Sequence, residues 1–128
     1  MKKLLLIPLL ALSFEASAQK LTSMNCKKNK GLFNKMKIDV DFAARLMRYK
    51  SKYDNEVFDQ LSKEDNGFER VLIGKQSHAE VYLRVIFDKN AIVKPNTVHH
   101  DIAIQLTRVN PNGSTVSAME LGFTCKAY

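Results

Sequence analysis

Alternation of apolar and polar residues is the feature that most constrains how this chain can fold. It is clearest at residues 98–107 and returns at residues 114–125, on either side of the Asn-Pro-Asn-Gly segment at 110–113. A period of two is typical of a half-buried β-strand, and Pro followed by Gly suits a hairpin turn. The sequence therefore predicts two antiparallel strands joined by a turn. The residues predicted to face the core from the second strand are Met119, Leu121, Phe123 and Cys125.

The same pattern predicts three earlier strands, at residues 36–42, 68–73 and 79–88. Gly and Asn residues between these stretches are typical of turns. The residues before the first of these strands, 19–35, are rich in Lys and lack a clear period, so we expect an irregular lead-in.

The segment 43–61 supports two interpretations. Alternation continues through Leu46, which favours a strand that extends to about Tyr49, followed by a loop with a short helix near residues 56–61. Apolar residues at helical spacing favour instead a single helix over the whole segment.

Several strands of six to twelve residues with turn signals between them indicate a mainly β domain. We expect an antiparallel β-sandwich, immunoglobulin- or transthyretin-like in layout, with a short helix. The alternative is an α+β domain in which one helix packs on a curved antiparallel sheet.

The first 18 residues have the three parts of a secretory signal peptide. Lys2 and Lys3 precede an apolar run at residues 4–14, and Ala16-Ser17-Ala18 forms a cleavage signature. The run is too short for a membrane-spanning helix, which needs roughly 20 residues, and no later segment is apolar enough. We therefore predict cleavage after Ala18, a single domain at residues 19–128, a periplasmic or secreted location and no transmembrane anchor.

The two cysteines, Cys26 and Cys125, lie near the two ends of the predicted domain. An even cysteine count in an exported chain indicates a disulfide. We expect these two residues to be bridged. Lipidation of Cys26 is excluded because polar residues separate it from the apolar run.

Charge is unevenly distributed along the chain. The whole sequence carries 20 Lys and Arg against 13 Asp and Glu. Residues 19–52 hold eight Lys and two Arg against Asp39 and Asp41, whereas residues 53–70 are acidic. Such asymmetry steers partners of opposite charge. We expect a protein partner with an acidic surface, and export argues against nucleic acid. The predicted partner-binding residues are Lys27, Lys28, Lys30, Arg45, Arg48, Tyr49 and Tyr53.

Neither a catalytic constellation nor a cofactor motif is evident. His78, His99 and Asp101 form the alternative hypothesis of a metal site, because His99 and Asp101 would share one face of a strand. The sequence lacks a spacing typical of metal ligands. We therefore favour a solvent-facing His99 beside Asp101, with His100 near the edge of the core, and we expect no enzyme activity and no cofactor.

These features predict an exported binding module without catalysis, such as an inhibitor, an immunity protein or an accessory protein of secretion or assembly. A small metal-handling periplasmic protein and a minor structural subunit of a surface appendage are the alternatives.

Overall fold

The computed structural model describes residues 20–28, 36–52 and 54–128. Strands make up 65% of the described residues and are all antiparallel, which confirms the mainly β prediction. The predicted signal peptide lies outside the described residues. The strands are β1 (Ser23–Lys28), β2 (Lys37–Asp41), β3 (Leu46–Lys50), β4 (Asn55–Phe58), β5 (Gln60–Asp65), β6 (Glu69–Lys75), β7 (Val81–Asp88), β8 (Val98–Val109) and β9 (Thr115–Ala127).

The nine strands of the described ranges belong to one sheet, in the order β4-β3-β2-β1-β9-β8-β7-β6-β5. Strands that follow one another in sequence are paired, with the one exception of β4 and β5 among the described residues, and β1 also pairs with β9. The sheet curls until it is nearly closed, so its two faces become an interior and an exterior. The sandwich layout expected from the sequence is thus built from one sheet rather than two.

The pairing of β1 with β9 closes the sheet on one side, and we call it the closed seam. Cys26 lies directly opposite Cys125 across this pairing, and the two are joined by a disulfide, with their Cα atoms 4.0 Å apart. Both cysteines are fully buried. The predicted disulfide is confirmed, and it ties the first strand to the last.

The chain between β4 and β5 leaves the sheet open on the other side. Only Asp59 separates the two strands, yet β4 pairs with β3 while β5 pairs with β6. The Asp59 carboxylate accepts a hydrogen bond of 2.9 Å from the Ser77 amide, which anchors the bend to the β6–β7 turn. We call the gap between β5 and the β2–β3 turn at residues 42–45 the open seam.

The interior is filled by buried apolar side chains from every described strand except β5, which contributes only the half-buried Leu61. Phe58, Phe87 and Phe123 are the largest, and none is more than 2% exposed. Removing such side chains from water is the main favourable contribution to folding. The other large side chains that are fully buried are Met24, Ile38, Met47, Leu83, Val40, Val81, Val85, Cys26 and Cys125.

The segment 43–61 differs from both of its predicted forms. β2 ends at Asp41, and a turn that includes Arg45 with a positive φ of 59° leads into β3. The short helix expected at residues 56–61 is absent, because those residues lie in β4, the bend and β5. The lead-in also differs from prediction, since Ser23–Lys28 forms β1.

Two bulges change which residues of the β8–β9 hairpin face the core. Between the pairs His99–Cys125 and Ile102–Phe123, two residues of β8 lie opposite one residue of β9, and Asp101 in this bulge has a φ of 58°. In the second bulge, two residues of β9 lie opposite one residue of β8, and Gly122 there has a φ of 83°. An extra residue reverses the alternation beyond it. Met119 and Leu121 are therefore 53% and 64% exposed, contrary to prediction, whereas Phe123 and Cys125 are buried as expected.

The described part of the chain contains no helix with the length and hydrophobicity needed to cross a membrane.

Candidate functional site: the basic outer face

Three lysines lie side by side on the exterior of the sheet. Lys27 of β1 is directly opposite Lys37 of β2, which is directly opposite Lys50 of β3. All three are exposed. Each lysine follows or precedes a buried residue in its strand. Because successive side chains of a strand point to opposite faces, each lysine faces outward. These buried neighbours are Cys26, Ile38 and Tyr49.

This arrangement is electrostatically unfavourable in the protein alone. Side chains directly opposite on antiparallel strands have Cβ atoms about 4.5–5.5 Å apart, and like charges there destabilise the sheet. Within the residues that the structure describes, none of the three lysines forms an ion pair. The row therefore concentrates positive charge that this part of the chain does not neutralise.

The next row along the strands extends the positive region at both ends. Lys126 of β9 and Arg48 of β3 flank Asn25 and Asp39 in register, and all four belong to one row across the sheet. The Asn25 side-chain amide donates a 2.8 Å hydrogen bond to the Asp39 carboxylate in the middle of this row. We define the basic face as Lys27, Lys37, Lys50, Arg48 and Lys126.

The structure places two of the predicted partner-binding residues, Lys27 and Arg48, on the basic face. Lys28 is instead paired with the Glu120 carboxylate at 2.5 Å. Arg45 lies in the β2–β3 turn, away from these rows, and donates a 3.3 Å hydrogen bond to the Leu61 carbonyl across the open seam.

Tyr49 is a correction to the predicted partner surface. Its side chain is only 5% exposed and belongs to the core cluster, so it is not available to a partner. Burial raises the pKa of its hydroxyl above the ordinary value of 10.0. The other two predicted residues, Lys30 and Tyr53, lie outside the described residues.

Sequence reasoning missed three members of the basic face: Lys37, Lys50 and Lys126. The outward position of Lys37 was visible from the alternation at residues 36–42. The register between strands was not, because β2 and β3 were predicted as one strand. Only the pairing shows that these lysines form neighbouring rows with Lys27.

The residues of the alternative metal site are not brought together. His78 lies in the β6–β7 turn beside the far end of β8, whereas His99 lies at the start of β8 opposite Cys125. No cluster of three or more His, Cys, Asp or Glu residues suited to a metal ion occurs in the described ranges. The grouping of His78, His99 and Asp101 is therefore wrong.

His99 lies at the edge of the core rather than in solvent, contrary to prediction. Its ring meets the Phe87 ring edge to face at 5.6 Å, and one ring nitrogen is 2.8 Å from the Thr97 hydroxyl. Burial lowers the pKa of His99 from its ordinary value of 6.5, and the neighbouring His100 adds a smaller effect in the same direction. His100 is the exposed residue, because the bulge at Asp101 reverses the alternation.

The first half of β9 is a second surface feature. β1 pairs with β9 only from Phe123 to Ala127, so no described strand covers the outer edge of residues 115–122. Val116 is 60% exposed there, and Met119 and Leu121 are similarly accessible. Residues 115–119 carry no charge. An unpaired strand edge that carries exposed apolar side chains and little charge can pair with another chain.

Comparisons with protein-family models, with curated proteins and with solved structures find no match to this chain.

Proposed function

We propose that this protein is an exported, non-catalytic binding module whose basic face recognises an acidic surface on a protein partner. The observation that carries the proposal is the row formed by Lys27, Lys37 and Lys50. An exposed row of like charges on adjacent strands costs folding stability, and a partner with carboxylates opposite it removes that cost on binding. The same positive field accelerates the encounter with an acidic partner.

The disulfide fits a protein that folds outside the reducing cytosol. Together with the signal-peptide pattern at residues 1–18, it supports a periplasmic or secreted location. Inhibition, immunity and assisting secretion or assembly are the roles that a small rigid scaffold with one charged face can perform. Nucleic acid is a poor candidate for the partner in such a compartment.

The decisive experiment compares two variants with equal changes in charge. Lys37→Glu with Lys50→Glu reverses the centre and one end of the row. Lys89→Glu with Lys94→Glu makes the same change in the β7–β8 loop, outside the basic face. Each protein is immobilised and exposed to envelope and secreted proteins of the cells that produce it, and the captured proteins are identified and quantified.

We expect an acidic protein that is retained by the unmodified chain and by the loop variant, and that is lost from the row variant. Its binding should weaken steeply as salt concentration rises, since exposed charges are screened. Identical capture by all three proteins would contradict the proposal, as would a captured species that is an anionic polysaccharide or lipid rather than a protein.

The β9 edge favours a second candidate function, that of a subunit that assembles by strand addition. An extended partner strand could bond to the outward-facing amides of residues 115–122, and Val116, Met119 and Leu121 would give it apolar contacts. Size measurements distinguish this candidate from the first, because strand addition between copies would give oligomers that do not dissociate in high salt.

A further inference from the structure

We infer that the open seam is a binding groove for a free, single-chain amphiphile with an anionic head group, such as a fatty acid carboxylate. The groove has a volume of about 760 Å³, which is within the range of about 300–1,000 Å³ for sites that hold small molecules. The site is separate from the basic face and does not depend on it.

The floor of the groove is apolar. Leu21, Phe42, Leu61 and Val93 line it, and each comes from a different segment of the chain. All four are half-buried side chains that pack against the core while keeping one side accessible. Such a surface suits an alkyl chain, because every methylene removed from water contributes favourably to binding.

The rim of the groove is cationic. Lys20, Arg45 and Lys63 surround the floor, and Ser62 is the other described residue lining it. No carboxylate occurs among the described residues that line this groove. The charge on the rim is therefore complementary to an anionic head group.

Arg45 is held in a position to contact such a head group. One of its terminal nitrogens donates to the Leu61 carbonyl at 3.3 Å, which ties the side chain across the seam. The remaining donors of its planar guanidinium can bind a carboxylate or phosphate.

The backbone of β5 adds one donor on the same side. Asn66 donates to the Glu69 carbonyl at the end of the β5–β6 hairpin, and backbone groups alternate in direction along an antiparallel strand. Lys63 therefore directs its own N–H and C=O away from β6 and toward the open seam, on the same side as the Leu61 carbonyl. The Lys63 N–H pairs with no strand in the described part of the chain, and such a donor beside cationic side chains strengthens recognition of an anion.

A second cavity gives the alkyl chain room to extend. It has a volume of about 360 Å³ and shares Leu21, Phe42 and Val93 with the groove. It continues toward Leu72 and Phe87, which are 7% and 2% exposed and belong to the core cluster. The buried residues of this second cavity are apolar, whereas its exposed lining residues Glu64, Asp65 and Arg70 carry charges of both signs. The alkyl chain would therefore lie along the apolar side.

The test is a titration of the protein with dodecanoate. Calorimetry measures the affinity, and NMR shifts of isotope-labelled protein locate the binding site. Arg45→Gln should weaken binding about tenfold through the loss of charge-assisted hydrogen bonds. Val93→Glu should weaken it by at least as much, because it places a carboxylate on the floor. Arg84→Gln is the matched control, since Arg84 lies on the outer side of β7 and is not part of the groove. Circular dichroism would verify that each variant is folded.

Two control ligands separate the contributions of the head group and of the alkyl chain. Acetate has the carboxylate without a long chain, and submicellar dodecyl maltoside has the chain without a charge. We expect both to bind much more weakly than dodecanoate, and we expect the largest shifts at Phe42, Leu61 and Val93. Equal affinity of dodecanoate for the Arg45→Gln variant and for the control would overturn the proposal, as would equal binding of the neutral detergent. Binding to vesicles of anionic phospholipid without binding of monomeric dodecanoate would overturn the commitment to a free amphiphile.

Discussion

The two seams of the sheet differ in whether the strands that meet there are paired. At the closed seam, β1 and β9 are the most distant strands in sequence, and they are joined by a hydrogen-bonded ladder and a buried disulfide. At the open seam, β5 runs beside the β2–β3 turn without pairing to it, although β4, which directly precedes β5, pairs with β3. The two ends of the described chain are therefore joined by a covalent bond. The gap lies instead where a short connection already keeps neighbouring strands close together. One seam supplies stability, and the other leaves accessible surface.

The largest expected effect comes from breaking the closed seam. Replacing both Cys26 and Cys125 by Ala should lower the free energy of unfolding by about 4 kcal/mol, because the bridge spans 99 residues and restricts the unfolded chain. Urea denaturation monitored by circular dichroism would measure the change. The reduced unmodified protein is the control and should be destabilised similarly. A loss below about 1 kcal/mol would show that the ladder alone holds this seam.

A smaller effect is expected where the chain bends beside the open seam. Gly74 of β6 faces the interior, and a Cβ built there would lie 2.9 Å from the Phe58 Cβ and 3.2 Å from the Met47 Sδ. Gly74→Ala should therefore destabilise the protein by about 2 kcal/mol through overpacking. Gly67→Ala is a control without close neighbours, where a φ of 86° gives only backbone strain. Its loss should stay near 1 kcal/mol, and an equal or larger loss than that of Gly74→Ala would contradict the packing explanation.

A gain in stability is expected from the basic face beside the closed seam. Lys37 is opposite both Lys27 and Lys50, so Lys37→Gln removes two unfavourable contacts and should stabilise the protein by about 0.5 kcal/mol at low salt. High salt should abolish the gain. Thermal denaturation at two salt concentrations measures both effects, and Lys89→Gln in the β7–β8 loop should change little. Destabilisation by Lys37→Gln at low salt would show that the row is not repulsive.

The smallest expected effect is a pH dependence due to His99, which packs at the end of β8 near the closed seam. Burial lowers the pKa of His99 in the folded protein, so the unfolded chain takes up a proton first as pH falls below 6.5. The contribution of His99 is therefore fully present above that pH and is lost as pH falls toward its folded pKa. Unfolding measurements between pH 8 and pH 5 should show a flatter profile for His99→Gln than for the unmodified protein. Parallel profiles would contradict this explanation.

Much of the fold could be predicted from residue patterns. Alternation identified β2 and the strands from β6 to β9, and export together with an even cysteine count identified the disulfide. The ends of strands were harder to predict where no Gly or Pro marks a turn. β2 and β3 were merged because Arg45, rather than Gly, adopts the positive φ of the connecting turn.

Face assignments failed where bulges occur. Asp101 and Gly122 each mark an extra residue that reverses the alternation, and together they moved His99 inward and Met119 and Leu121 outward. A single sequence does not show on which strand such a residue is inserted. The basic face could be predicted only in part for a related reason, since its rows depend on the register of four strands.

Amide hydrogen exchange compares the two seams most directly. The Tyr128 amide donates to the Ser23 carbonyl of β1. Because amide directions alternate along a strand, the Lys126 amide also points toward β1, across the closed seam. The Lys63 amide faces the open seam. We predict strong protection of Lys126 and rapid exchange of Lys63, with slow exchange at Ser62 and Glu64, whose amides face β6. Protection of the Lys63 amide equal to that of Ser62 and Glu64 would show that the open seam is in fact paired. That result would contradict both the gap and the amphiphile groove proposed there.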